Sequence, residues 1–377
     1  MNITEITTGG VTTKTVDRIE HSLMAFNQWA SRPADERFES VAALKDACLA
    51  RALASNEEVI NLTSVVAMNK GAAGLALEIG GRPVSTSHFS FGQLCGEVRA
   101  PASYLRRLDG ELAAANLNYN LRNVQDGGRK AYLADGDGPT RLRAITSESY
   151  ARVYDWEVVA ALEKAIEDGG NKFYAPPGWD RKPTGLFASD RDVWAFVIDG
   201  GSIVEGPKER DQLYRGVIVS NSEVRDGAIQ LRNFMFRQTC GNLQIWGISD
   251  YVETKIVHRS GTREHFYGVF MERLREFMGA DMRTAMVESM KRAESAKLPY
   301  KVGDDAFIPW AMAPLKGLRF TRQEAEDAVV AALREEGQCE SMWDYVNGLT
   351  AVARGLEHTD AMTNLSRRAG KLVEAVA

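Results

Sequence analysis

The sequence predicts an α+β fold, with an antiparallel sheet built from hairpins in the N-terminal two-thirds and a helical C-terminal third. Two observations predict it. Short apolar, β-branched runs separated by turn residues cluster before Arg259, whereas apolar side chains recur with helical spacing after His265. Because strands and helices are segregated along the chain, this pattern favours an α+β fold over a doubly wound parallel sheet, in which they would alternate.

The centre of the predicted sheet lies between Leu213 and Arg259. Two apolar runs, Tyr214–Ser220 and Ile229–Phe236, flank an Asp226-Gly227 pair. Asp-Gly between such runs is typical of a hairpin, since Gly accepts the positive φ that a tight turn demands. A third apolar run, Lys255–His258, is a candidate for a further strand. We therefore expect residues 185–259 to form one antiparallel sheet.

Earlier elements follow from turn and cap signals. Gly80-Gly81 marks a hairpin turn, and Pro101 suits a first helical turn because its missing N–H would be unpaired there anyway. The predicted elements are a helix over Ser40–Leu53, a hairpin over Ala72–Ser85, a helix from Pro101 carrying Tyr104, Leu105, Leu108 and Leu112, strands over Lys130–Leu133 and Arg141–Ile145, and a helix over Trp156–Ile166.

The chain after His265 is predicted to be helical. Thr321 and Glu324 have the spacing of a capping box, in which each side chain satisfies a free backbone N–H of the other residue. The predicted helices are Phe266–Phe277, Arg283–Ala293, Thr321–Arg334, Ser341–Arg354 and Ala361–Ala375. We divide the chain into a polar, partly flexible N-terminus (1–40), a mixed α+β domain (41–264) and a helical region packed on it (265–377).

Composition narrows the class of protein. The 377 residues carry a net charge of −5, so any nucleic-acid binding would need a local basic patch rather than a basic chain. The 4 cysteines are scattered, which fits a reducing compartment and no disulfide framework. The chain shows neither an apolar run long enough for a membrane span nor a secretory leader. These features predict a protein of the cytoplasm without a membrane partner.

Signals for metal or cofactor chemistry are weak. The 5 histidines do not form an HExxH motif or a short-spaced His/Cys cluster, and the glycine pairs do not open a phosphate-binding loop. We therefore expect no metal and no cofactor. Cys240 with a nearby His could form an activated thiolate pair, but a lone Cys is more often a small buried apolar residue.

Basic residues alternate with aromatic ones on the strand Leu231–Gln238. Strand geometry places Arg232, Phe234 and Phe236 on one face, while Arg237 points to the other. A cationic groove beside stacking aromatics is how proteins bind single strands without sequence preference. The predicted nucleic-acid-binding residues are Arg232, Phe234, Phe236, Arg237, Lys255 and Arg259, and a second arginine-rich block comprises Arg99, Arg106, Arg107, Arg122, Arg129, Lys130, Arg141 and Arg143. The alternative interpretation places the aromatics in the core and pairs the arginines with local acids.

The stretch SNSEVRDGAIQLRNFMFRQTCGNLQIWG, followed by KIVHRSG, resembles a family of uncharacterised phage- and plasmid-encoded proteins with a domain of unknown function. The similarity extends over roughly residues 90–375, including Ala102–Leu108, Arg141–Tyr154 and Met342–Thr350. The residues that match the family pattern are Asn221, Ser222, Gly227, Arg237, Cys240, Asn242 and His258. The chain departs from the pattern before Asp226-Gly227, where the family often has His. The resemblance implies a mobile-element origin and the cytoplasm of a host cell.

Three functions are therefore weighed. The first is a phage or plasmid nucleic-acid-binding protein, a single-strand DNA-binding or annealing factor in replication or recombination, which is a binding protein rather than an enzyme. The second is an enzyme that uses Cys240, Asn242 and His258 in a cleft at the sheet edge. The third is a protein-binding factor that inhibits a host defence or replication protein. The expected partners are single-stranded nucleic acid, a host protein as the alternative, and further copies of the chain.

Overall fold

The computed structural model has the α+β fold that the sequence predicts. It describes residues 4–8, 11–15, 34–71, 75–125, 127–135, 138–170, 172–176, 185–205, 212–237, 242–244, 254–256, 258, 262–279, 283–313, 318–354, 356 and 359–375. The N-terminal residues Thr4–Thr8 (β1) and Val11–Thr15 (β2) form an antiparallel pair. The division of the chain at residues 40 and 264 stays a prediction.

The described helices fall before and after the central sheet. Before it lie Val41–Leu53 (α1), His88–Glu97 (α2), Ala102–Leu105 (α3), Gly110–Arg122 (α4) and Asp155–Asp168 (α5). After it lie Thr262–Gly279 (α6), Arg283–Ser295 (α7), Phe307–Met312 (α8), Arg322–Glu336 (α9), Met342–Arg354 (α10) and Thr359–Ala375 (α11). The capping box expected at Thr321 and Glu324 is present. None of the helices among the described residues is long and apolar enough to cross a membrane.

The central sheet is antiparallel, as expected for residues 185–259. Its strands are Phe173–Tyr174 (β9), Leu186–Ala188 (β10), Val193–Glu205 (β11), Gln212–Asn221 (β12), Ile229–Arg237 (β13), Asn242–Gln244 (β14) and Thr254–Ile256 (β15). They are ordered β10-β11-β12-β13-β14, with β9 paired to β11 and β15 paired to β13.

Helices cover both faces of this sheet. Along β11, the side chains of Trp194, Phe196 and Ile198 pack with α7 to α11, because alternate residues of a strand point to opposite faces. Val193 and Val197 face the other way and pack with α1, α5 and α6. Helices therefore cover both faces of this part of β11, and its aromatic residues belong to the core.

Gly216 makes this packing possible at the centre of the sheet. It pairs with Phe234 on the neighbouring strand, and a Cβ on Gly216 would lie 2.3 Å from Phe234 Cε1 and 2.7 Å from the carbonyl oxygen of Val197. Both distances are below any normal contact. The Phe234 ring therefore lies directly over the backbone of β12, in space that a side chain would otherwise fill.

The second sheet is mixed and has six strands. These are Ser55–Asn61 (β3), Val66–Asn69 (β4), Leu75–Ile79 (β5), Arg82–Thr86 (β6), Gly128–Ala134 (β7) and Arg141–Thr146 (β8), in the order β3-β7-β8-β6-β5-β4. Only β6 and β8 run parallel among these paired strands. Helices α2 and α4 pack on one face of this sheet. The predicted hairpin at Gly80-Gly81 is its β5–β6 turn.

This sheet must curl strongly. Its two edge strands, β3 and β4, are consecutive in the chain, and Leu62–Val65 alone separates them. In a flat sheet the edges would lie five strand spacings apart, about 24 Å. The five backbone steps from Asn61 to Val66 span at most about 18 Å. An ion pair between Glu58 of β3 and Arg82 of β6, with 2.6 Å between Oε1 and Nη2, fits this curvature.

Two local predictions need correction. The helix expected from Pro101 is split into α3 and α4, because Asp109 caps a new helix and its side chain accepts from the Glu111 N–H. The turn between β12 and β13 also differs. Arg225, with φ 69°, has the positive φ that was expected of Gly227. The connection is longer than a tight hairpin turn, and the left-handed residue lies two positions earlier.

We expect Gly216→Ala to lower the free energy of unfolding by about 1–3 kcal/mol, because the added methyl overpacks the Phe234 site. Gly268→Ala is the matched control. Gly268 is an exposed residue of α6, and a Cβ there meets no atom within 4 Å. That change should raise the free energy of unfolding by up to about 1 kcal/mol. Urea unfolding of both variants measures the difference, and equal effects would contradict the packing described for Phe234.

Candidate functional site at the junction of the two sheets

The structure places the predicted stacking aromatics in the core. Phe234 is 1% exposed and Phe236 is 2% exposed, and both pack against the C-terminal helices. A nucleic-acid base cannot reach either ring without opening the sheet. This corrects their assignment to a binding surface, because strand alternation identifies which residues share a face but not what covers that face.

The predicted basic residues are described only in part. Arg232 is partly buried on β13. Arg237 and Lys255 lie on β13 and β15, and their side chains are outside the described residues, as is the whole of Arg259. The predicted binding surface on β13 therefore loses Phe234 and Phe236, and the binding roles of its basic residues stay predictions.

Three of the residues that carry the family resemblance come together. His258 Nε2 lies 2.9 Å from Asn221 Oδ1, and Ser222 follows Asn221 at the end of β12. Gly227 lies in the β12–β13 turn. Asn242 is on β14 with its side chain outside the described residues, and Cys240 lies outside them entirely. Of the predicted Cys240, Asn242 and His258, the structure describes only the His258 side chain, so the Cys–Asn–His cleft stays a prediction.

A buried ion triad joins the two sheets beside Asn221. The carboxylate of Glu223, at the end of the central sheet, lies 2.7 Å from Nη1 of Arg143 and 3.1 Å from Nη2 of Arg152. Arg143 belongs to β8 of the curled sheet, and Arg152 lies between β8 and α5. All three side chains are at most 3% exposed. One carboxylate therefore connects the two sheets through two guanidinium groups.

A second chain of hydrogen bonds runs from α5 to His258. The amide nitrogen of Asn221 donates to the carbonyl oxygen of Val153, over 3.1 Å, and to Asp155 Oδ1, over 2.8 Å. This fixes the Asn221 amide oxygen toward His258 Nε2. The other ring nitrogen of His258 lies 3.1 Å from the Ala151 carbonyl oxygen. Asp155 is the first residue of α5, so this chain ties the helix to β12.

The carboxyl groups of this site have opposite pKa shifts. Burial would raise the pKa of Glu223, but the charges and hydrogen bonds of Arg143 and Arg152 outweigh it and hold that pKa below its usual value. Burial raises the pKa of Asp155 well above its usual value, and the nearby Glu223 charge adds to this. Burial also lowers the pKa of His258, against the opposing effects of the Ala151 carbonyl and Glu223.

Aromatic rings enclose the ionisable groups. Tyr150 stacks on His258 with 5.1 Å between ring centroids, and its hydroxyl donates to the Ser222 carbonyl oxygen over 3.1 Å. The guanidinium of Arg152 lies 4.5 Å from the ring centroid of Tyr132 and 4.4 Å from that of Tyr154. Cation–π contact partly replaces the water that Arg152 loses on burial.

Sequence reasoning missed most of this cluster. It counted Arg143 in an arginine-rich block and did not select Glu223, Arg152 or Asp155. A signal was available, because the run Arg141–Tyr154 was already part of the resemblance and carries Arg143, Tyr150 and Arg152. Charged residues in an apolar stretch are either exposed or paired with a partner distant in sequence.

The cluster has the geometry of a positioning site rather than of an open active site. Its ionisable side chains are nearly inaccessible, and the described residues include no group of three His, Cys, Asp or Glu side chains placed to hold a metal ion. It does order two turns at the surface. Ser222 Oγ donates to the Arg191 carbonyl oxygen over 2.7 Å and accepts from the Asp226 N–H over 2.9 Å. Gln93 of α2 donates to the Val224 carbonyl oxygen over 2.9 Å.

Above the cluster these turns and α2 form an exposed surface rich in arginine, which we call the α2 surface. It comprises Phe89, Arg106, Arg141, Arg191 and Arg225. The guanidinium of Arg191 lies 5.4 Å from the Phe89 ring centroid, and that of Arg106 lies 5.2 Å from the Phe91 ring centroid. Three of the arginines pair with acids. Arg191 lies 3.7 Å from Asp226, Arg225 lies 2.8 Å from Glu97, and Arg141 lies 3.3 Å from Asp190.

Comparison with known proteins gives no match to a family model, a curated protein or a solved structure.

We expect Asp155→Asn to become more stable relative to the wild type as the pH rises from about 4 to about 7. The raised pKa means that folded Asp155 binds its proton more tightly than the unfolded chain does. The stability from that proton is fully present below the usual Asp pKa of 3.8 and is lost as the pH rises through the raised folded value. An amide keeps the acceptor for Asn221 without the charge. Each pH unit between the unfolded and the folded pKa adds about 1.4 kcal/mol to the relative stability of the variant.

Urea unfolding at several pH values measures this effect, with the exposed Asp305→Asn as the matched control. The stability difference for Asp305→Asn should stay nearly constant over the range. If the free energy of unfolding of Asp155→Asn relative to the wild type stayed constant or fell as the pH rises, the raised pKa of Asp155 would be contradicted.

Proposed function

We propose that this chain binds single-stranded nucleic acid through the α2 surface, not through the face of β13 that the sequence predicted. One observation carries the proposal. In a chain with a net charge of −5, four arginines and a partly exposed aromatic ring, that of Phe89, are gathered on one surface. Arginine beside an aromatic ring suits single strands, since it pairs with phosphate and stacks on bases.

The acid partners leave these arginines available to a phosphate. The side chains of Arg141, Arg191 and Arg225 are 44% to 49% exposed. Exposed ion pairs contribute only about 0–1 kcal/mol, because water screens them. A phosphate that approaches the surface can therefore displace Asp226 or Asp190 at low cost. Glu97 is only 14% exposed and also pairs with Arg129, so it stays in place while the exposed side of Arg225 remains open to the phosphate. The released counterions of the strand then favour binding.

The backbone at Arg225 supports a functional role for its turn. A left-handed conformation costs a non-glycine residue about 1–2 kcal/mol, yet Arg225 adopts it beside Gly227. Strain of this kind persists where the surroundings hold it, and it clusters at ligand-binding sites. Here the Ser222 and Gln93 hydrogen bonds hold the turn, and its conformation presents the Arg225 side chain near α2.

The exposed side of α2 offers a path between the arginines. On a helix with 3.6 residues per turn, Gly92 and Gly96 share that side. Arg106 lies along one edge, where a Cβ on Gly92 would be 3.5 Å from its Nη2. Arg191 and Arg225 contact Phe89 and Glu97 on the other edge. A Cβ on Gly96 would meet no atom within 4 Å, so this side of α2 has room for a nucleic-acid strand.

The cellular role follows from the resemblance. A phage or plasmid protein of the host cytoplasm that binds single strands would act in replication or recombination, as a binding or annealing factor. The enzyme alternative receives less support, because His258 is buried, with its two ring nitrogens 2.9 Å from Asn221 Oδ1 and 3.1 Å from the Ala151 carbonyl oxygen.

Fluorescence anisotropy on a labelled single-stranded oligonucleotide tests the proposal at about 50 and about 200 mM salt. We expect Arg191→Ala and Arg225→Ala each to weaken binding and to reduce the salt slope by about 0.7, the value for one phosphate on a single strand. Arg322→Ala, an exposed arginine of α9 paired with Glu326, should change neither.

Arg232→Ala separates the two possible surfaces. Loss of binding in Arg232→Ala, with Arg191→Ala and Arg225→Ala unaffected, would return the site to β13. No binding by the wild type at about 50 mM salt would refute nucleic-acid binding at either surface.

A further inference from the structure

A cleft of about 480 Å³ opens beside the first turn of α2. Phe91, Leu105 and Leu108 line its apolar part, and His88, Arg106 and Asp109 contribute polar groups. Its size and its mixture of an apolar lining with a few polar groups are typical of small-molecule sites. Because Arg106 lines the cleft and also belongs to the α2 surface, the cleft is continuous with that surface.

Arg106 differs from the other arginines of the α2 surface. Its guanidinium lies over the Phe91 ring and donates through Nη2 to the His88 carbonyl oxygen, over 2.8 Å. Across the part of the chain that the structure describes, no carboxylate pairs with it. A guanidinium has five N–H donors, so four remain for a ligand. The stacking and the single hydrogen bond hold the group in place without neutralising it.

The remaining polar groups favour an anion next to Arg106. His88 is exposed, and its ring can donate a hydrogen bond. The cleft also contains one carboxylate, Asp109, but Asp109 Oδ1 already accepts from the Glu111 N–H over 2.9 Å, as the cap of α4. The arrangement offers a cationic end and an apolar body.

We propose that this cleft binds a nucleotide as its phosphate monoester, with the phosphate against Arg106 and His88 and the base against the partly exposed side chains of Leu75 and Leu108. The proposal deepens the proposed function and rests on it for the class of ligand. A phosphate monoester has two sources, a free mononucleotide and the phosphorylated end of a strand lying on the α2 surface. Both present the same dianionic group, which pairs with a guanidinium through two parallel hydrogen bonds.

Calorimetric titration with 2′-deoxyadenosine 5′-monophosphate tests the cleft on the full chain. We expect binding by the wild type and a loss of about tenfold or more in Arg106→Glu, since charge-assisted hydrogen bonds are lost and a repulsive charge is added. Arg107→Glu is the matched control, because Arg107 is the next residue, is exposed and does not line the cleft. His88→Ala should weaken binding less than Arg106→Glu.

Oligonucleotides with and without a 5′-phosphate distinguish the sources. If the phosphorylated strand binds more tightly and this preference is lost in Arg106→Glu, the cleft binds strand ends. If both strands bind equally and the mononucleotide still binds, the cleft binds free nucleotides. Mononucleotide binding without oligonucleotide binding keeps the cleft and refutes the proposed function. Oligonucleotide binding without mononucleotide binding at millimolar concentration, or equal mononucleotide affinity in wild type and Arg106→Glu, overturns the cleft proposal.

Discussion

The interaction of Glu223 with Arg143 and Arg152 is the constraint on which the arrangement of the two sheets depends. Removing three charges from water costs several kcal/mol per ion, and only close pairing with further hydrogen bonds offsets that cost. Here Glu223 lies within 3.1 Å of Arg143 and Arg152, and the Asp155 backbone nitrogen lies 3.4 Å from its second oxygen. The Nε atoms of both arginines are buried without a hydrogen bond among the described residues, so the ion pairs offset most of the burial cost. Separating the two sheets would expose these charges to water or leave them buried without a partner. The triad therefore fixes the relative position of the sheets.

The same triad sets the surface above it. Glu223 is the second residue after β12, and the turn that follows carries Arg225 and Asp226. Ser222 donates a hydrogen bond to the turn that carries Arg191. Gln93 of α2 donates one to the turn that carries Arg225. The position of the exposed arginines thus follows from buried contacts a few residues away. A binding surface of this kind can be rigid even though it is made of turns.

Sequence patterns predicted the elements well where local rules decide them. The apolar runs of β12 and β13, the Gly80-Gly81 turn and the Thr321 capping box depend on neighbouring residues, and all are present. The sequence could not predict what covers a strand face. Phe234 and Phe236 alternate with Arg232 in the way that a stacking surface would, but C-terminal helices more than 50 residues later bury them.

The candidate site was harder to predict for the same reason. The partners of Glu223 lie 80 and 71 positions away in the chain, counting from 143 and 152 to 223. Nothing in the local sequence around Arg143 distinguishes it from the exposed Arg141 two residues earlier. The resemblance to phage- and plasmid-encoded proteins did select Asn221, Ser222 and His258, and these residues meet in space. Cys240 and Arg259 lie outside the described residues, so their predicted roles stay predictions.

Hydrogen exchange of Glu223→Gln tests most directly whether the buried triad holds the junction and its turns. Removing one partner of a buried pair leaves uncompensated charge, which typically costs about 3–5 kcal/mol. We expect faster exchange at the turns around Arg191 and Arg225 and along β7 and β8, with α9 and α10 keeping their protection. Unchanged exchange at both turns, or a uniform increase that includes α9 and α10 equally, would contradict a triad that specifically positions the junction.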